Sequence, residues 1–133
     1  MSFCTAVNCM DGRVQLPVIR YLQEQHGVLY VDVITEAGPV RTLAEPADSG
    51  IKRSILERVG VSISAHRSKL IAIVAHADCA GNPTHEEEQR RQLTRSVEYV
   101  AEKFPSASVI GLWVDDSWSV SRTSSLETTG QDA

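Results

Sequence analysis

The chain lacks the marks of several protein classes. It has three cysteines in 133 residues, an odd and small number that leaves no full disulfide framework. It has no excess of basic residues: 13 Lys and Arg stand against 17 Asp and Glu, for a net charge of -4. That argues against a nucleic-acid or anionic-membrane partner, since both want a basic face. No apolar run approaches the roughly 18 residues that a membrane span needs. The start, Met-Ser-Phe-Cys-Thr-Ala-Val, has no basic segment and no long apolar stretch, so it does not read as a secretion signal. A cytoplasmic location is the resulting expectation. What remains is ordinary globular material, 42% hydrophobic and 23% charged. The length fits one domain, large enough to hold a core without disulfide or metal.

Four segments read as strands: Phe3 to Asn8, Val28 to Thr35, Leu70 to Ala75 and Ser108 to Val114. The third is apolar at every position, as expected of a strand covered on both faces. Helical patterns lie between them. Pro17 can occupy a first turn ahead of Val18, Ile19 and Leu22, with Gly27 at the end. Ser49 can cap a helix bearing Ile51, Ile55, Val59 and Ile63, although Gly60 weakens its interior. Thr84 and Glu87 have capping-box spacing ahead of Leu93, Val97, Val100, Ala101 and Phe104. The alternation βαβαβαβ predicts a single α/β domain over residues 1–118, with a mainly parallel four-stranded sheet and helices on both faces. Trp118 can add an edge strand or pack on the domain. Residues 119–133 read as a polar, flexible tail.

Two segments carry chemistry. Cys9-Met10-Asp11-Gly12-Arg13 follows the first strand, and His76-Ala77-Asp78-Cys79 follows the third. Ligands of open α/β sheets bind beyond the carboxyl ends of strands. If these two strands are neighbours, Cys9, His76 and Cys79 can converge on one ion. Two thiolates and one imidazole suit zinc, and three protein ligands leave a position open for catalysis. Zinc there would supply hydroxide at neutral pH. Asp11 can accept a hydrogen bond from that hydroxide or close the site as a fourth ligand, and Arg13 can orient Asp11 through a bidentate pair. A phosphatase loop is ruled out, because only Met10, Asp11 and Gly12 separate Cys9 from Arg13.

The pair of motifs, Cys-x-Asp-x-Arg at Cys9, Asp11 and Arg13 and His-x-x-Cys at His76 and Cys79, resembles the β-class carbonic anhydrase family in a minimal, divergent form. Ala37-Gly38 resembles that family's Ala-Gly turn. The resemblance implies zinc on Cys9, His76 and Cys79, with Asp11 and Arg13 as a catalytic dyad. It implies zinc-dependent reversible hydration of carbon dioxide to bicarbonate via zinc-bound hydroxide, in a homodimer or higher homo-oligomer with sites near the subunit interface. The chain departs from the family pattern at Gly12, at Ala75 and Ala80 around the second motif, and at Thr35-Glu36 before the Ala-Gly turn. The scaffold and zinc set also resemble carbonyl sulfide and carbon disulfide hydrolases. A zinc protein without turnover, closed by Asp11, is the third reading. Of the other candidates, Cys4 reads as core and Asp78 as a turn former. His85 reads as a surface histidine or a proton relay, and Trp113 and Trp118 as core or interface. His26 and His66 carry no assigned role.

Overall fold

The computed structural model describes residues 2–123. Strand β1 (Phe3–Cys9) leads through a 3-10 turn (Gly12–Val14) into helix α1 (Gln15–His26) and strand β2 (Tyr30–Glu36). Helices α2 (Pro39–Ala44) and α3 (Gly50–Ala65) precede β3 (Leu70–His76). Helix α4 (Glu86–Lys103), β4 (Ser108–Val114) and β5 (Val120–Arg122) complete the described chain. The sheet order is β2-β1-β3-β4-β5, with every pair parallel except β4 and β5.

The core forms two layers because successive side chains of a strand point to opposite faces. On one face, Ile71 and Ile73 of β3 and Val109 of β4 pack with Leu43, Ile55, Val59, Leu93 and Val97 from α2, α3 and α4. On the other face, Ala72 and Val74 meet Ile110, Leu112 and the α1 residues Val18 and Leu22. All seven residues of β3 are buried, as its unbroken apolar run requires. The expected end of α1 is also present. Gly27 adopts φ +68° and its N–H closes on the Gln23 carbonyl, the left-handed cap that glycine favours.

Three expectations need correction. The sheet has five strands, not four, the fifth being the edge strand that the stretch around Trp118 could add. The side chain of Asp115 accepts from the N–H groups of Ser117 and Ser119, both at 2.9 Å, and the tight turn this makes sends Val120–Arg122 back antiparallel along β4. Such a local side-chain-to-backbone device leaves no hydrophobic periodicity to read. Strand β5 thus occupies the first part of the segment expected to be a tail, and 124–133 lie outside the described residues. The cap of α4 is His85, whose side chain accepts from the Glu88 N–H; Thr84 does not fill that role. Ile51 is exposed, and the buried face of α3 is Lys52, Ile55, Val59 and Ser62. A strict spacing of four drifts about 40° per step around a helix, so a row of four such residues cannot stay on one face. Lys52 is tolerated inside because its ammonium donates to the carbonyls of Glu45 and Ala47 and lies 4.2 Å from the Tyr99 ring.

Truncation at the centre of β3 tests this packing. Ile73→Ala should cost about 2–5 kcal/mol in urea unfolding. Val61→Ala, on the exposed side of α3, should stay within about 0.5 kcal/mol of the parent.

Candidate metal centre

The strand order reverses between β1 and β3: from β1 the chain crosses to β2 on one side, and β3 lies on the other. A reversal of this kind opens a crevice at the carboxyl ends. The pairing shows it directly. The β1–β3 ladder stops at Val7 and Ile73, whereas β1–β2 runs on to Cys9 and Glu36, and β3–β4 to His76 and Val114. The last residues of β1 and β3 therefore part company, and the two sequence motifs face each other across the gap.

Cys9, His76 and Cys79 meet there, with all candidate ligand atoms within 4.8 Å of one another and all three residues buried. The two cysteine sulfurs are 3.8 Å apart. Two thiolates about 2.3 Å from one tetrahedral ion stand about 3.8 Å apart, so the sulfur pair already has the spacing of a shared metal. His76 Nδ1 donates to the Ala77 carbonyl at 2.7 Å, which leaves Nε2 as the lone-pair atom. Among the described residues, that Nε2 is the buried side-chain polar atom without a hydrogen-bond partner. A buried acceptor is seldom left unpaired in a folded protein, and a metal ion is the partner this donor set fits.

Electrostatics agree. The Cys79 thiol, donating to the Cys9 sulfur, pulls Cys9 far below the ordinary thiol range. Burial opposes this, and His76 and the N–H groups of Gly38 and Asp11 add to it. The same pairing, together with burial, pushes Cys79 up. A divalent ion at this position would favour the thiolate form of both sulfurs. Burial lowers the basicity of the His76 ring, and the Cys9 sulfur, the Ala77 carbonyl and the Asp11 charge together more than restore it.

Asp11 stands beside this group but is not one of it. Its Oδ1 caps the 3-10 turn by accepting the Arg13 N–H at 2.9 Å. The Arg13 guanidinium grips both carboxylate oxygens, Nη2 to Oδ2 at 2.7 Å and Nε to Oδ1 at 3.1 Å. The Arg13 side chain and backbone N–H hold the Asp11 pKa at about 2, below the ordinary 3.8 and against a smaller opposing effect of burial. A cleft of about 190 Å³ opens here, lined by Cys9, Met10, Asp11, Ala37, Ala80 and Gly81.

Residues outside the two motifs shape the site. Gln15 Nε2 bridges the carbonyls of Cys9 (2.7 Å) and Asp11 (2.9 Å), and buried Asn8 donates to the Val14 carbonyl while accepting the Cys9 N–H. Gly81 lies so close to the Ala37-Gly38 turn that a Cβ on it would fall 2.6 Å from backbone. Gly38 itself has φ +60°. This contact brings the Gly38 N–H to Cys9 while the Gly81 and Asn82 N–H groups reach Cys79. The sequence reading overlooked Asn8, Gln15 and Gly81. Only the glycine at 81, two positions past Cys79, offered a signal. Glu36, where the family pattern has a polar pair, is tied by an ion pair to Arg58 of α3. His85, at the start of α4, is exposed. His66 stacks on Phe3 and bonds Asp32.

Comparisons with known proteins bear on this arrangement. The family model described as "Putative carbonic anhydrase" matches residues 1–124. No curated protein sequence matches the chain. Among solved structures, one of the tetrameric β-carbonic anhydrases of the ascomycete Sordaria macrospora superposes with a TM-score of 0.61 at 12% identity, covering 94% of this chain and 81% of that one. The β-carbonic anhydrase CafA of Aspergillus fumigatus superposes with a TM-score of 0.56 at 17% identity, covering 91% of this chain and 74% of that one. At such identities the likeness is one of fold.

Two measurements probe the centre. The parent should retain zinc through dialysis, as read by elemental analysis, Cys9→Ser and His76→Ala should each fail to, and Gly81→Ala should bind zinc about 10–100-fold more weakly. The depressed Asp11 pKa means that its ionised form stabilises the fold above the unfolded pKa, and that this stability is lost as pH falls through the folded value. In metal-free protein, Asp11→Asn should therefore be less stable at pH 6, by no more than about 1 kcal/mol for a solvent-facing pair. The difference should close between pH 3.8 and about 2.

Proposed function

The chain belongs to the carbonic anhydrase family whose model spans residues 1–124, and on that premise we propose that it is a zinc enzyme catalysing CO2 + H2O ⇌ HCO3⁻ + H⁺. The observation that carries the reading is the convergence of Cys9, His76 and Cys79 beside a carboxylate already gripped by an arginine.

In this reading Cys9, His76 and Cys79 hold the zinc ion. When bound, zinc supplies hydroxide at neutral pH by lowering the pKa of water to about 7. Asp11 stays ionised throughout the working range, so it acts as a hydrogen-bond acceptor. A carboxyl group this acidic is a poor proton acceptor near neutrality, so its role is to orient the O–H of the nucleophile. Arg13 fixes that carboxylate through two parallel N–H···O bonds. Apolar Met10, Ala37 and Ala80 line the cleft and suit a small, linear, uncharged substrate. The proton released on hydration passes to solvent buffer.

The engagement of both Asp11 oxygens by Arg13 supports an open site over one closed by Asp11. The reading includes a cytoplasmic location and a homodimer or higher homo-oligomer, without nucleic-acid or membrane partners. Among the described residues, no helix is long and apolar enough to cross a membrane, and the Sordaria relatives are tetramers.

Stopped-flow CO2 hydration on zinc-loaded protein tests this directly. Turnover should depend on zinc and rise between about pH 7 and 9, following the pKa of zinc-activated water. Asp11→Asn should lower kcat by about 10²-fold, the cost of a misoriented nucleophile, while zinc stays bound. Full zinc occupancy without hydration at any pH would overturn the reading. Carbonyl sulfide turnover on the same preparation would then identify the sulfur analogue as the substrate.

A further inference from the structure

Arg13 is held by more than Asp11. Its side chain is 47% exposed, and a surface ion pair alone holds an arginine weakly. Two other loops close on it. From the turn after β3, Asp78 accepts from Nη1 through its carboxylate (3.3 Å) and from Nη2 through its main-chain carbonyl (3.2 Å). From the β4–β5 turn, the Trp118 ring lies with its centroid 4.5 Å from the guanidinium carbon, within cation–π range. Asp78 and Trp118 have φ +57° and +63°, the left-handed region that non-glycine residues seldom occupy and a bulky residue least of all. Glycine would suit the Trp118 backbone better. A tryptophan is kept there by a turn that Asp115 pins through four hydrogen bonds with residues 117, 118 and 119.

We propose that Trp118 and Asp78 are positioning residues for the Asp11–Arg13 pair, holding the guanidinium so that both Asp11 oxygens stay engaged and away from the metal ligands. This rests on the hydration reading. Trp118 covers the guanidinium and thereby limits its rotation and its hydration. The main-chain carbonyl of Asp78 fixes the Nη2 edge that also reaches Asp11. Three elements that are distant in sequence thus set the orientation of one carboxylate.

The test separates ring from bulk. Trp118→Leu keeps an apolar side chain and removes the aromatic face; Trp118→Phe restores a face. With zinc content equal to the parent, Trp118→Leu should lose about tenfold or more in kcat with KM unchanged, as expected when a reacting group is misaligned. Trp118→Phe should regain most of the loss. A parental kcat in zinc-replete Trp118→Leu, or a loss confined to KM, overturns the proposal. Asp78→Ala, at a side chain 80% exposed, provides a second variant should Trp118→Leu not fold; it removes the carboxylate and keeps the main-chain carbonyl, it should lower kcat several-fold at full zinc, and an unchanged kcat would remove the Asp78 carboxylate from the clamp. A readout independent of turnover uses metal-free protein with Trp113→Phe, leaving Trp118 as the lone tryptophan, excited at the red edge where the three tyrosines do not absorb. Adding Arg13→Gln should shift its emission, and an unshifted spectrum overturns the contact. Zinc-loaded parent protein that hydrates no CO2 overturns the hydration reading and this proposal with it, whereas an active parent with an equally active Trp118→Leu overturns this proposal alone.

Discussion

The parting of β1 from β3 after Val7 and Ile73 is the constraint on which the site depends. Parallel strands that stayed paired to their ends would fill the gap with ladder hydrogen bonds, and the Cys9 and His76 side chains would have no crevice to share. Because each strand keeps its outer neighbour to the last residue, the ends remain rigid while the space between them opens. The backbone of the Ala37-Gly38 turn, pressed against Gly81, closes the far side. It supplies part of the set of N–H donors that face the two sulfurs.

Charge is arranged around that opening in two tiers. The inner tier is two sulfurs and an imidazole, a donor set that suits a divalent cation. The outer tier is Asp11, whose negative charge sits next to the thiolates and is made tolerable by Arg13. Arg13 in turn touches the loop after β3 and the β4–β5 turn. The edge strand β5, which adds little to the core, thereby acquires a place in the architecture of the site: it anchors the turn that carries Trp118.

Legibility in the sequence followed the kind of force at work. Strands and long helices were readable because burial imposes either a period or an unbroken apolar run, and β3, buried at all seven positions, was the clearest case of the second. The short β5 was open only as one of two readings of the stretch around Trp118, and the cap at His85 was not read, since both depend on local side-chain-to-backbone contacts. Ile51 misled because apolar spacing alone does not say where a helix turns away from the core. At the site, the five motif residues stood out by spacing after strand ends. Asn8 and Gln15 did not, because a polar residue that spans a loop looks like any surface polar residue until the loop has a shape.

By itself the sequence determined the α/β alternation, the placement of Cys9, Asp11 and Arg13 after one strand and of His76 and Cys79 after another, and the family to which such a pair of motifs points. Periodicity and local chemistry carry that information along the chain. Tertiary structure alone decided that β1 and β3 are neighbours, that they separate early enough to leave a crevice between their ends, and that Arg13 is gripped from three sides. Those outcomes rest on contacts between residues dozens of positions apart, whose pairing no local pattern records.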